Sequence, residues 1–228
     1  MPNKHAIKSF LKSLPGIGPL LVRLRRRRYH FKHSSDYWEK RYATGGNSGA
    51  GSYGRLAEFK ASFLNGFVEE HKIASVIEYG CGDGAQLKLA RYPSYTGVDV
   101  SSKAVEVCRT QFSGDASKQF LQLDAVAPGS VADLAISLDV IYHLVEDSVF
   151  DAYMRQLFES ARRFVIVYSS NKDEDLPVNH VRHRQFTKWV EENRPDWQLQ
   201  STIKNAYPFD PEDSERTSFA DFYVFAPR

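Results

Sequence analysis

The apolar run Val76-Ile77-Glu78-Tyr79 passes directly into Gly80-Cys81-Gly82-Asp83-Gly84. Three glycines at alternate positions after a buried-strand pattern describe a strand-to-helix turn that lets backbone approach a nucleotide-like ligand. A dinucleotide turn reads G-x-G-x-x-G, and counted from Gly82 that pattern fails. A phosphate loop needs Lys-Ser/Thr after its last glycine, where Ala85-Gln86 stand. Glu78 and Asp83 would oppose a pyrophosphate and suit a ligand that carries positive charge. The turn therefore calls for an open α/β sheet and a ligand without phosphate.

The rest of the chain supplies that sheet. Leu56, Phe59, Phe63, Leu64, Phe67 and Val68 share one face at helical spacing, which predicts a covering helix over 52–72. Strands are predicted over 74–80, 94–100, 117–125 and 132–140, and a fifth at the apolar run RFVIVYSS. Helices are predicted over 85–92, 101–113 with Ser101 as N-cap, 147–161 with Val149 among the inward residues, and 185–192. Two last extended runs, WQLQSTIKNAYP and SFADFYVFAP, flank a polar turn and pair antiparallel. The expected fold is a doubly wound α/β domain with a seven-stranded, mostly parallel sheet and an antiparallel C-terminal strand. At 228 residues one domain suffices, and two cysteines make no disulfide framework, which suits reduced thiols and a cytoplasmic setting.

In such sheets ligands bind outside the carboxyl ends of the strands, at the switch in strand order. Four features fall there in order: the glycine turn, Asp99, Asp124-Ala125, and Ser137-Leu138-Asp139-Val140-Ile141-Tyr142-His143. Asp99 stands 19 residues beyond Gly80, where a carboxylate can accept both hydroxyls of a ribose; before Ser101-Ser102 it could instead assist a helix N-terminus. This order, over about residues 52–228, resembles class I S-adenosylmethionine-dependent methyltransferases and their Rossmann-like fold. The resemblance implies S-adenosylmethionine as cofactor, held by Glu78, Gly80, Gly82, Gly84, Asp99 and Leu138. It implies further that Asp124 accepts from the adenine amine and that the Ala125 N–H meets a ring nitrogen.

The segment YWEKRYATGGNSGAGSYG (37–54) reads as a flexible loop with an aromatic anchor, or as a lid that sets Trp38 over the cofactor and turns backbone donors towards its carboxylate. It is similar to a segment of small-molecule methyltransferases encoded with polysaccharide-building enzymes. Methyl transfer to a hydroxyl needs a base, and His143, three residues past the fourth strand with Tyr142 beside it at the acceptor side, is the first candidate. His180 and His183 follow as candidate bases, with Arg182 and Arg184 as candidate acceptor contacts, in NHVRHRQF. No convincing metal set accompanies Asp139, and the D/N-P-P-Y/F tetrapeptide of amine-stacking loops is absent. The expected activity is metal-independent O-methylation of a small polar acceptor, a sugar or glycan precursor. The alternatives are an RNA or nucleotide methyltransferase and a catalytically silent cofactor-binding scaffold.

The chain's +2 formal charge conceals an asymmetry: residues 1–33 carry nine Lys/Arg and no acid, which leaves the remainder at −7. Pro15, Pro19 and interspersed lysines exclude a membrane span over this arm. It could lie on an anionic inner-membrane surface, touch nucleic acid (not the expected partner), or dock on the chain itself. The domain proper is expected over 34–228.

Overall fold

The computed structural model describes residues 33–174 and 180–228. The basic arm and its membrane contact, expected over 1–33, therefore fall outside the described residues except for His33.

Seven strands form one sheet: β1 (Val76–Tyr79), β2 (Tyr95–Asp99), β3 (Lys118–Gln122), β4 (Ala132–Leu138), β5 (Ala161–Ser169), β6 (Trp197–Ile203) and β7 (Asp221–Pro227). Their order is β3-β2-β1-β4-β5-β7-β6, and β7 runs antiparallel between β5 and β6. The reversal in order lies between β1 and β4, which pair parallel. The five described α-helices are α1 (Ser34–Ala43), α2 (Gly54–Glu70), α3 (Ser102–Gln111), α4 (Asp147–Glu159) and α5 (Phe186–Asn193).

Period-two alternation divides the core between the two faces of the sheet. Ile166 and Tyr168 of β5 pack with Leu64, Phe67 and Val68 of α2 and Val105 of α3. Val165 and Val167, one residue out of step, pack with Phe150, Met154, Leu157 and Phe158 of α4 and Phe186 of α5. All four β5 side chains are almost fully buried, which accounts for the continuous apolar run.

Four features differ from expectation; the third strand, expected over 117–125, ends at Gln122 and gives way to a 3-10 turn over Leu123–Ala125. The stretch after the glycine turn makes a single 3-10 turn, Gln86–Leu89, in place of a helix over 85–92. Asn65 of α2 ends it, donating to the Leu89 carbonyl at 2.9 Å and accepting from the Arg91 N–H at 2.8 Å. The fourth strand stops at Leu138 because Asp139 turns to φ +60°, a left-handed conformation that breaks the ladder. Val149 is 42% exposed rather than inward, since α4 turns that edge away from the core. Ser101 does cap α3, its hydroxyl accepting from Ala104 N–H at 3.1 Å.

Candidate active site

At the carboxyl ends of β1, β2 and β4, where strand order reverses, lies a cavity of about 480 Å³. Gly80, Gly82 and Gly84 have φ of +82°, +57° and +73°, so an L side chain would be strained at each. A Cβ on Gly80 would overlap Val140, and one on Gly82 would overlap the Ser48 hydroxyl; Gly84 instead packs on Phe112 and Cys108 at the end of α3. The first two glycines thus let Val140 and Ser48 pack close against the turn, and the third seats the turn on its helix. The Cys108 thiol adds a hydrogen bond to the Gly82 carbonyl at 3.2 Å.

Two buried carboxylates stand behind the turn. Asp99 accepts from the Gly82 and Ser101 N–H groups, both at 2.9 Å, and lines the cavity as well. It therefore braces the turn and opens α3 while facing the ligand space. Burial lifts its pKa to about 6 against those backbone donors. Glu78 accepts from the Tyr95 hydroxyl at 2.6 Å, and burial lifts it to about 7 although Tyr95 and Lys60 favour its charged form.

The segment 33–53 roofs the cavity, with Ser34, Trp38, Tyr42, Ser48 and Ser52 in its lining. Polar contacts fix it to three other elements. The Ser34 N–H donates to Glu146 at 2.9 Å, and the Ser34 hydroxyl bonds to the same carboxylate. Asp83 of the glycine turn accepts from Ser48 N–H at 3.0 Å and from the Tyr53 hydroxyl at 2.7 Å. Burial opposes ionisation of Asp83, but these donors outweigh it and hold its pKa below the ordinary value. Ser102 at the start of α3 donates to Glu39 at 3.2 Å. The helical part of this roof, α1, was not expected; Tyr37 and Trp38, with Tyr42 about one turn further on, behind Ser34-Ser35, were the available signal.

His143 lines the cavity beside Trp38, whose ring meets it edge-on with centroids 5.0 Å apart. Its Nδ1 lies 3.0 Å from the His180 carbonyl. A carbonyl accepts and never donates, so Nδ1 carries the proton and Nε2 the lone pair. Burial lowers the His143 pKa to about 4, which leaves the ring neutral at physiological pH. His180 stacks on His143 and on Tyr37, at 5.9 and 4.9 Å between centroids, without lining the cavity itself.

The other candidates lie apart from the cavity. His183 is buried against Ser170 (Nδ1···Oγ 2.5 Å) and Phe219. Arg182 and Arg184 donate to the Val145 carbonyl and to Asp147, and Arg184 also to the Leu144 carbonyl at 2.6 Å. Both guanidinium groups thus pin the loop after His143 rather than face an acceptor. Tyr142 is turned inward to donate to Asp139 at 3.0 Å. Asp124 and Ala125 are exposed on a 3-10 turn, and their neighbour Leu123 lines the cavity in their place. Among the described residues no group of three or more His, Cys, Asp or Glu could hold a metal ion.

Lys60 and Gln86 also line the cavity, and neither was expected there. Lys60 donates to Asp139 at 2.6 Å with its side chain 1% exposed. It lies four residues after Leu56 and four before Leu64, on the apolar face of α2, and that placement was its sequence signal. Gln86 donates to the Ala57 carbonyl at 3.0 Å, while its Oε1 is buried with no hydrogen-bond partner.

A family model for a methyltransferase domain matches residues 52–211. The chain belongs to this methyltransferase family. No curated protein matches it. Among solved structures it is similar to the N-methyltransferase NodS from Bradyrhizobium japonicum in complex with S-adenosyl-L-homocysteine, at 13% identity and TM-score 0.67, covering 86% of this chain and 99% of that one. It is also similar to magnesium protoporphyrin IX methyltransferase from Synechocystis with bound S-adenosylmethionine, at 15% identity and TM-score 0.63, covering 88% and 100%. The methyltransferase domain of bacterial CtHen1 gives 21% identity and TM-score 0.57, covering 76% and 99%. These likenesses establish the Rossmann-like methyltransferase fold.

The methyltransferase's own wall fits S-adenosylmethionine. Gly80 and Gly82 line the space as backbone alone, Asp99 lines it as an acceptor for hydroxyls, and Gln86 Oε1 lacks a donor. Glu78 and Asp99 favour a ligand with a cationic centre.

Proposed function

We propose that this methyltransferase carries a methyl group from S-adenosylmethionine to a hydroxyl of a small polar acceptor, a sugar or glycan precursor. The cofactor supplies a methyl group on a sulfonium, already activated for displacement by a nucleophile. What the protein must add is alignment and a place for the hydroxyl proton. His143 carries this reading: it lines the cavity, it is neutral, and its Nδ1–H bond to His180 leaves Nε2 able to accept that proton. A pKa of about 4 makes it a weak base. Its contribution then falls at the low end of general-base effects, about 100-fold.

The roof favours a small acceptor, since Trp38 and the Ser34–Glu146 contact close over the cavity beside His143. The Gly80, Gly82, Asp99 and Glu78 wall serves the donor, and the Trp38–His143 side serves the acceptor. An RNA acceptor rests on the nine basic residues of 1–33, and deletion of that arm tests it.

The decisive experiment offers labelled S-adenosylmethionine with a panel of sugars, nucleotide-linked sugars and simple glycans, and locates the new methyl group by mass spectrometry and NMR. An O-methylated sugar is expected, and His143→Gln should lower kcat about 100-fold with cofactor affinity kept. Methyl transfer to nitrogen, or to RNA in an arm-dependent manner, overturns the acceptor assignment. Full turnover in His143→Gln removes His143 from the chemistry.

A further inference from the structure

Three rings gather beside His143. Tyr37 of α1 stacks on His180, with centroids 4.9 Å and planes 14° apart, and His180 stacks on His143 at 5.9 Å and 10°. Trp38, the next residue of the roof, meets Tyr37 and His143 edge-on at 5.3 and 5.0 Å. These separations lie where aromatic pairs attract. Arg41, one turn further along α1, donates to the Tyr37 hydroxyl at 3.3 Å and is itself anchored on the Asn47 carbonyl at 2.6 Å. Tyr37 is therefore oriented from its own helix. Neither Tyr37 nor His180 lines the cavity, so neither ring meets the reacting groups.

What His180 offers His143 is its carbonyl, which accepts the Nδ1–H bond at 3.0 Å. That single bond decides which ring nitrogen is bare. With the proton on Nδ1, Nε2 can accept one from a hydroxyl; with the tautomer reversed, it cannot. The carbonyl must therefore stay within reach of a ring 37 residues earlier in the chain. The backbone is tied nearby, where the Arg182 N–H donates to the Tyr142 carbonyl at 2.8 Å. His180 stands two residues outside that tie. Among the described residues, the rings that hold its side chain are those of Tyr37 and His143.

We propose that Tyr37 and His180 are positioning residues for His143: the roof helix holds the His180 ring, and through it the carbonyl that keeps the His143 proton on Nδ1. This rests on His143 being the base. Ser34, at the start of the same helix, donates to Glu146, three residues past His143, so α1 grips the loop of the base from a second point. A seated roof and a correctly protonated base are then one state. Tyr37 also precedes residue 52, where the match to the methyltransferase family begins, so the lock is written outside the matched domain.

The His143 ring reports the lock directly. In protein with 15N-labelled histidines and no acceptor, ring-nitrogen chemical shifts separate a protonated nitrogen from a bare one, and His143→Gln identifies the signals. The wild type should carry the His143 proton on Nδ1. Tyr37→Leu and His180→Ala should each raise the Nε2–H population about fivefold. With the acceptor identified, each should lower kcat about tenfold, well short of the loss in His143→Gln, and leave the cofactor KM within about twofold. Tyr37→Phe and His180→Phe keep a flat ring and should restore both readings. The double variant Tyr37→Leu, His180→Ala should lose no more than the worse single variant, since both act on one carbonyl. A proton that stays on Nδ1 in both single variants overturns the proposal, as does a kcat loss that Tyr37→Phe and His180→Phe fail to restore. Full turnover in His143→Gln would refute the base instead, and the tautomer, read without acceptor, tells that failure from a failure of the lock.

Discussion

Two clusters of polar side chains occupy strand ends in this molecule, and they are used in opposite ways. At β1 and β2, Glu78 and Asp99 are buried and line the cavity. Beyond β5, His183, Arg182 and Arg184 have the composition of a binding site, but Ser170, Asp147 and the carbonyls of Leu144 and Val145 engage their polar atoms. Residue type at a strand's carboxyl end is therefore a weak guide. What separates the clusters is which hydrogen-bonding atoms are already taken. The first cluster faces ligand space; the second holds in place the loop that carries His143.

The sharpest way to break this contrast is Asp99→Ala. It removes a cavity acceptor and the brace of Gly82 together, and should weaken S-adenosylhomocysteine binding by about 100-fold or more in titration. A loss below tenfold would confine Asp99 to capping α3.

Next comes pH. Burial raises Glu78 from 4.5 to about 7 and Asp99 from 3.8 to about 6, so the folded chain holds these protons more tightly than the unfolded chain. Stability from this source is present below pH 4 and is lost as pH rises through 7. Between pH 5.5 and pH 8 the loss from the two groups is on the order of 2–3 kcal/mol. Denaturant unfolding of the ligand-free protein at pH 5.5 and pH 8 measures it. Glu78→Gln should flatten the dependence, and an unchanged slope would place the titration elsewhere.

The second cluster should respond in the reverse sense. Arg184→Ala should cost about 1–2 kcal/mol of stability through lost carbonyl and Asp147 contacts, with cofactor affinity kept within about twofold. The smallest effect belongs to Arg182→Ala, whose partly exposed pair with Asp147 contributes at most about 1 kcal/mol. If Arg182→Ala raised the acceptor KM tenfold while stability held, the two clusters would no longer differ in kind.

Much of the donor wall was legible in the sequence because its signals are local. Glycines at alternate positions, an acid closing β2 and a hydroxyl cap at Ser101 each follow from nearby residues. The alternating strands and helices likewise gave the sheet and its antiparallel β7. Lys60 carried only its place on the apolar face of α2, and its role there was not legible from nearby residues. Its partner Asp139 lies 79 residues away, so the pairing exists only in three dimensions. The same holds for Arg184, whose type suggested a ligand and whose partners lie about 40 residues earlier. Helix α1 was missed because its aromatics precede so many glycines that the whole stretch resembled a loop.

The roof has a consequence for how such a protein could be altered. Its contacts at Ser34, Glu39 and Ser48 arise before residue 52, where the match to the methyltransferase family begins. The doorway and the donor wall are thus written in separate stretches of chain, joined through a few side chains such as Asp83 and Glu146. Residues 33–51 form a short cassette. Grafted onto another protein of this fold with those two acids in place, it would carry the entrance across and leave the host's grip on its donor intact.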